Sequence, residues 1–259
     1  MTKENVLYSI IGLLLGYVVA FTFVTYVNQR EAGTGAAGGA ASVQGGAGPA
    51  AGQPAASAQE EEIRERLRQI DAAAREQPED FDLQMRAGQA HGAVGEFEEA
   101  IDFLSRAREL RPDDYGVTVE LGNQNFEAGR YEVAERWYKE ALLKNPDDIN
   151  VRTDLGLTYF FRTPRDTESA LAEFRRSLER DPRHELTLQN MTAVLASRAA
   201  LRDADAGVRR RSLEEAEQTL VRLEALNPSN QSLPKLRDSL REARESLGAQ
   251  PASAARERS

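Results

Sequence analysis

The order of apolar and polar residues divides the chain into an apolar start, a low-complexity segment and a long amphipathic region. No charged residue lies between Glu4 and Arg30, and positions 6–27 are mostly apolar. As a helix this stretch would be about 33 Å long, enough to cross a hydrocarbon core of about 30 Å. The pattern predicts a short N-terminal tail over 1–5 and one transmembrane helix over 6–27.

A cleavable signal peptide is the alternative interpretation of this apolar stretch. Its apolar part would be shorter, and a cleavage site of small residues would follow it directly. Polar and charged residues, from Asn28 to Glu31, follow instead. An uncleaved anchor is therefore favoured.

Small residues recur every four positions within the predicted span, at Gly12, Gly16 and Ala20. Residues with this spacing share one helix face and let a second span approach closely. The pattern predicts packing of transmembrane helices through this face, and hence a homo-oligomer as one interpretation of the protein.

Basic residues near the span give its orientation. Lys3 precedes the span and Arg30 follows it, and the next basic residue is Arg64. Positive-inside counting places the N-terminus in the cytoplasm. The prediction is a single-pass protein of the bacterial inner (cytoplasmic) membrane whose remaining domain lies in the periplasm.

Two segments lack the apolar residues that a folded core needs. Residues 32–59 carry no charge and consist almost entirely of Gly, Ala, Ser, Gln and Pro. Such a composition buries too little apolar surface to offset its ordering entropy. We predict a flexible linker over 28–59 and a disordered tail over 248–259.

Amphipathic stripes at helical spacing and recurring prolines organise the rest of the chain. Pro78, Pro112 and Pro146 are spaced by roughly 34 residues, and longer steps lead to Pro182 and Pro228, a period typical of helical repeats. Apolar stripes outside the full repeats predict capping helices over 60–77 and 230–247. The full repeats are predicted near 81–112, 115–146, 149–182 and 185–228.

Within each repeat the same residue types return in the same order. The second repeat shows Leu121-Gly122, a turn at Gly129, then Ala134, Tyr138 and Ala141 before Pro146. This order resembles the tetratricopeptide repeat (TPR) family over residues 60–247. The resemblance implies an all-α, right-handed α-solenoid of about three to four helix pairs with capping helices. The sequence departs from the family at Gln84, Thr118 and Arg152, where tryptophan is usual, and in insertions at 162–165 and 202–211.

The pattern also predicts how the helices pack and where they begin. Small residues, Gly88, Gly122 and Gly156, would let two helices approach, and larger residues would fill the space between repeats, namely Leu104, Tyr138, Phe174 and Leu220. Each proline ends a helix because it lacks an N–H group. Asp113, Asp147 or Ser229 would accept the first free amides of the next helix.

The resemblance implies that the first helix of each repeat lines a groove for a protein or peptide. The matching positions are Met85, Gln89, Val119, Asn123, Phe126, Thr153, Leu157, Phe160, Phe161 and Gln189. The alternative for Phe126, Phe160 and Phe161 is packing between helices, since aromatic residues serve both purposes.

Composition argues against several functions. The net charge is -9, whereas nucleic-acid binding needs an excess of basic residues. The chain has no cysteine and two histidines, and neither histidine has helix-face metal spacing. We expect His91 to be packed in the core and His184 to start a helix. No catalytic residue, metal site or cofactor is predicted, and an enzyme is not expected.

Together these features predict a membrane-anchored TPR scaffold or adaptor that binds a protein or peptide partner. Two alternatives stay open. One is an assembly factor or chaperone for a membrane or periplasmic complex, such as c-type cytochrome maturation. The other is a structural homo-oligomer formed through Gly12 and Gly16.

Overall fold

A computed structural model describes the backbone of residues 53–248 and the side chains of residues 61–248. This part of the chain forms helices and contains no strand. Its helices are α1 (Gln53–Glu76), α2 (Phe81–Ala93), α3 (Phe97–Leu110), α4 (Tyr115–Glu127), α5 (Tyr131–Lys144), α6 (Ile149–Phe161), α7 (Thr167–Arg180), α8 (Glu185–Ala200), α9 (Ala206–Leu226) and α10 (Leu233–Gly248).

The predicted membrane span, 6–27, and its packing residues Gly12, Gly16 and Ala20 lie outside the described residues. The same holds for the tail 1–5 and for nearly all of the predicted C-terminal tail. Among the described helices, none is both long enough and apolar enough to cross a bilayer.

The structure divides into two units between Ala73 and Ala74. Most of α1 belongs to the first unit. It begins at Gln53, so the prediction of a flexible linker over 28–59 is wrong for its last residues. The reason is the alanines at 55, 56 and 58, because alanine has the highest helix propensity.

Within the second unit, the helices pack as consecutive pairs. The pairs are α2 with α3, α4 with α5, α6 with α7, and α8 with α9. The second helix of each pair also packs against the first helix of the next, as α3 does on α4 and α5 on α6. This arrangement is a solenoid of helix pairs.

Glycines allow the two helices of a pair to touch. A Cβ added at Gly122 would lie 2.6 Å from Cε1 of the Tyr138 ring, and one at Gly156 would lie 2.6 Å from Cε1 of Phe174. Tyr138 and Phe174 are almost completely buried. Any side chain at these glycines would displace a buried ring.

The turn between the two helices of a pair differs between the first two pairs and the third. Gly95 and Gly129 have φ angles of 82° and 73° in the first two pairs, in the left-handed region that favours glycine. The third pair carries the 162–165 insertion instead. There Arg162 pairs with Glu135 at 2.9 Å and with Asp166 at 3.0 Å.

Aspartates begin the first helix of the second and third pairs, one residue later than predicted. Asp114 accepts a hydrogen bond from Val117 N at 2.9 Å, and Asp148 accepts one from Val151 N at 3.0 Å. Asp113 and Asp147 are exposed, because the turn after each proline extends one residue further than expected. Ser229 was also predicted wrongly, since α10 begins only at Leu233.

Asp148 provides a test of these caps. Its Oδ2 also accepts a hydrogen bond of 2.6 Å from the Tyr115 hydroxyl of the preceding pair. We expect Asp148→Ala to lower the free energy of unfolding by about 1–2 kcal/mol, because an N-cap is lost. Asp147→Ala is the matched control and should change it by less than about 0.5 kcal/mol. Equal losses in urea denaturation would contradict this assignment.

Polar residues stand where the family usually has tryptophan, and each is hydrogen-bonded. Gln84 Nε2 donates to the carbonyl of Ala74 at 2.6 Å. Thr118 Oγ1 accepts from Arg108 Nη1 at 2.9 Å. Arg152 Nη1 donates to Glu173 Oε2 at 2.9 Å. These residues join consecutive elements through hydrogen bonds where tryptophan would do so by apolar contact.

The last pair and the helix after it depart from this regular packing. α8 has 16 residues and α9 has 21, against 13 and 14 in α6 and α7, so helix absorbs much of the 202–211 insertion. α10 packs against α8 more extensively than against α9, whereas α4 packs mainly on α3 and only slightly on α2. α10 therefore covers α8 rather than continuing the regular stack.

Arg209, from the insertion, lies buried at this junction. Its Nε donates to the carbonyl of Ala199 at 2.8 Å, and its Nη2 donates to Ser246 Oγ at 2.8 Å. The guanidinium therefore joins the end of α8 to the end of α10.

Candidate functional site: the face of the first helices

The ten predicted partner-binding residues fall into two groups in the structure. We call the side of α2, α4, α6 and α8 that carries them the groove face. The half-buried or exposed residues are Met85, Gln89, Val119, Asn123 and Phe126. The buried residues are Thr153, Leu157, Phe160, Phe161 and Gln189. Exposed surface on these positions is thus confined to α2 and α4.

Packing accounts for the buried residues of α6. Thr153 Oγ1 lies 2.6 Å from Thr187 Oγ1 of α8, with both groups inside the protein. The ring of Phe161 stacks on Tyr131 at 5.7 Å and meets the edge of Phe126 at 5.9 Å. Phe160 is 2% exposed. For Phe160 and Phe161 the structure corresponds to the alternative interpretation, packing between helices.

Gln189 of α8 is buried under the segment that leads into α10. Asn230 Nδ2 donates to Gln189 Oε1 at 3.3 Å and to Glu185 Oε1 at 2.6 Å. The displaced position of α10 removes this end of the groove face from solvent.

The open part of the groove face combines apolar side chains with amides. Met85, Val119 and Phe126 are partly buried. Gln89 Nε2 donates to Glu120 Oε1 at 3.0 Å and so links α2 to α4. The Tyr138 hydroxyl donates to Asn123 Oδ1 at 3.0 Å and fixes the orientation of that amide.

Three carboxyl groups adjoin this surface: Glu120 and Glu127 of α4 and Asp154 of α6. Burial raises the pKa of Tyr138, and the charges of Asp154, Glu127 and Glu120 raise it further. Burial, followed by the charges of Asp148 and Glu127, raises the pKa of Asp154 to about 7. Burial also raises the pKa of Glu127.

The sequence analysis did not select these three carboxyl groups. One signal was available. α4 contains no lysine or arginine, so its own helix offers no basic partner to Glu120 or Glu127.

The two histidines occupy structural positions. His91 is 4% exposed, and its ring stacks on Phe103 at 5.3 Å. His184 is the N-cap residue of α8, where Nδ1 lies 2.7 Å from Thr187 Oγ1. Burial lowers the pKa of the His184 imidazole. Within residues 53–248, no group of three or more acidic or histidine side chains is placed to hold a metal ion.

Consecutive helix pairs with glycine-to-ring contacts define a helical repeat solenoid, and its particular form is the TPR fold. Solved TPR structures resemble the chain. MamA from Desulfovibrio magneticus RS-1, residues 41 to the end, is 19% identical with a TM-score of 0.54, covering 66% of this chain and 88% of that one. YrrB, described as a TPR protein with an unusual peptide-binding site, is 17% identical with a TM-score of 0.53, covering 70% and 86%.

Sequence comparisons give no further assignment. No protein family matches the sequence, and no curated protein does. At these identities the structural likeness establishes the fold.

Proposed function

We propose that the chain is a membrane-anchored scaffold that binds a protein or peptide partner on the open groove face of α2 and α4. The observation that carries the proposal is the distribution of burial. The groove-face positions of α6 and α8 are buried by packing within the domain, whereas Met85, Val119, Asn123 and Phe126 keep exposed surface on two adjacent helices.

The composition of this surface fits a peptide or protein segment. Methionine and phenylalanine supply adaptable apolar contact area, and an amide such as Asn123 can pair with a peptide backbone. The peptide-binding site described for YrrB supports the same use of the fold. Catalysis is not part of the proposal.

The anchor gives the scaffold its place of action. In this proposal the 6–27 span holds the chain in the inner membrane with the helical domain in the periplasm. The linker between the span and the helical domain raises the effective concentration of that domain for other proteins in the same membrane. The assembly-factor and homo-oligomer interpretations stay predictions.

Proximity labelling of the full chain in its native membrane tests the proposal. We expect Val119→Glu to abolish the labelling of specific partners, because it buries a charge against any apolar contact. The matched control is Leu143→Glu, at a position 83% exposed on α5, which should keep the wild-type labelling pattern. Identical patterns for both variants and the wild type would overturn the proposal.

A further inference from the structure

We infer that the chain has a second binding site, between α7, α8 and α9, which takes an acidic residue and the adjacent apolar residue of a peptide segment. None of the groove-face residues belongs to this site, so it goes beyond the proposed function and does not depend on it. Two cavities, the arginines that line them and the equivalent corner of the third pair support the site.

Two adjacent surface cavities lie between α7 and α9. The smaller cavity, of about 270 Å³, is lined by Pro182, Arg183, Leu188, Arg222, Ala225 and Leu226. The larger cavity, of about 350 Å³, is bordered by Leu178 and Met191 and also by Arg222. Because Arg222 borders both cavities, one extended segment can place side chains in each of them.

The smaller cavity combines apolar walls with positive charge. Its charged groups are the guanidinium groups of Arg183 and Arg222, and no carboxyl group of the described residues lines it. Arg222 Nη2 donates to the carbonyl of Pro182 at 2.8 Å, a neutral acceptor. Neither arginine forms a salt bridge within residues 61–248, so the positive charge of this cavity is not balanced from inside the domain.

The carboxyl groups beside the smaller cavity are bound by other donors. Asp181 Oδ1 accepts a hydrogen bond from the backbone N–H of Arg183 at 2.9 Å. Glu185 Oε1 accepts one from Asn227 Nδ2 at 2.7 Å. Opposite charge for the two guanidinium groups must therefore come from a ligand.

The larger cavity suits an apolar side chain. Its acidic lining residues, Glu179 and Glu215, would repel a carboxylate, and Glu215 is already bound by Arg175 at 2.9 Å. Leu178 and Met191 supply buried apolar surface, and methionine adapts to differently shaped side chains. The two cavities thus differ in the chemistry that they accept.

The third pair carries carboxylates at the corner equivalent to the smaller cavity. The start of α6 corresponds to the start of α8, and the end of α7 corresponds to the end of α9. In the third pair, Arg176 binds Glu173 at 2.6 Å and Arg180 binds Asp147 at 3.0 Å. The arginines of that corner are therefore neutralised within the chain.

The fourth pair keeps an arginine at this corner and lacks both carboxylates. Thr219 and Arg183 stand where the third pair has Glu173 and Asp147. Arg222 stands at the position of the paired arginine on α7. A carboxylate from a bound segment would supply the ion pair that the third pair makes internally.

Apolar residues replace charged ones at the same corner. Leu188 and Leu226 stand where the third pair has Arg152 and Arg180. Apolar surface beside guanidinium groups matches an acidic side chain next to an apolar one, because hydrogen bonds between arginine and a carboxylate are charge-assisted. Cavities near the lower end of the range for drug-sized ligands, about 300–1,000 Å³, suit single side chains of a peptide.

Selection from a random twelve-residue peptide library, displayed through its C-terminus, against the full chain in nanodiscs tests the inference. We expect a class of enriched peptides in which Asp or Glu adjoins an apolar residue. Arg183→Gln/Arg222→Gln should bind these peptides about tenfold more weakly, because two charge-assisted contacts are lost. The matched control, Arg176→Gln/Arg180→Gln, makes the same charge change at the third pair and should retain binding within about twofold.

Ala225→Glu provides a second variant, at an exposed position that lines the smaller cavity. The new carboxylate lies three residues after Arg222 on α9 and can pair with it, so binding of the acidic peptides should fall by about tenfold. Ala225→Gln is nearly the same size without the charge and should retain more of the binding. Equal losses in the two variants would overturn the pairing of Arg222 with an acidic ligand.

The groove face and the second site are separated by the same peptides. Binding that survives Val119→Glu and is lost in Arg183→Gln/Arg222→Gln would support the second site, whether or not the groove face binds a partner. If every enriched peptide depends on Val119 and none on the two arginines, the second site is overturned and the proposed function stands. Enriched peptides without acidic residues, or equal weakening in both double variants, would also overturn it.

Discussion

Phe174→Ala is expected to destabilise the domain by about 3–5 kcal/mol, because it opens a cavity in a packed interior. The ring is fully buried between α6 and α7, with Gly156 directly against it. Urea denaturation followed by the fluorescence of Trp137, the single tryptophan, measures the loss. Leu143→Ala removes a large apolar side chain that is 83% exposed and should change stability by less than about 0.5 kcal/mol.

A double-mutant cycle makes this prediction specific to the contact between ring and glycine. Gly156→Ala alone should destabilise, since its Cβ would lie 2.6 Å from the Phe174 ring. In the Phe174→Ala background the same substitution should stabilise, because the added methyl group enters the cavity and alanine favours a helix by up to about 1 kcal/mol. If Gly156→Ala had the same sign in both backgrounds, the ring would not be what requires glycine.

Asp154→Asn is expected to stabilise the domain at pH 8 by up to about 4 kcal/mol and to have little effect near pH 4. The ordinary pKa of 3.8 rises to about 7 in the folded protein. Between these values the native state holds more protons than the unfolded state, so wild-type stability falls as the pH rises. Asparagine keeps the shape and cannot ionise, and this pH dependence should shrink in the variant.

Urea denaturation at pH 4 and pH 8 measures this effect. Asp147→Asn serves as control, because Asp147 is an exposed carboxylate of the same type. A stability difference between wild type and Asp154→Asn that is equal at both pH values would refute the burial of a carboxyl group as its cause.

Much of the fold follows from the sequence because it depends on local patterns. Recurring prolines marked the helix ends, and the glycines at 88, 122 and 156 marked where a buried residue of the second helix would lie. The cap positions were off by one residue, since they depend on the length of the turn after each proline. The length of this turn depends on the backbone geometry, which the residue types alone do not determine.

Less of the candidate site could be predicted from the sequence, because the burial of a given repeat position depends on which element packs over it. Val119 and Thr153 occupy equivalent positions, yet one is partly open and the other has no exposure. At Thr153 the covering element is α8, whose Thr187 Oγ1 lies 2.6 Å from Thr153 Oγ1. Asp154 was missed for the same reason, since its raised pKa arises from burial and from the charges of Asp148 and Glu127, which the sequence alone does not place beside it.

The position of α10 also bears on growth of the helical array. Solenoids lengthen when each new helix pair stacks on the exposed side of the one before it. Here the single helix α10 covers α8. Arg209 links the two helices through hydrogen bonds to the carbonyl of Ala199 and to Ser246 Oγ. The array therefore cannot be extended on this side of α8 by a further helix pair unless α10 is displaced.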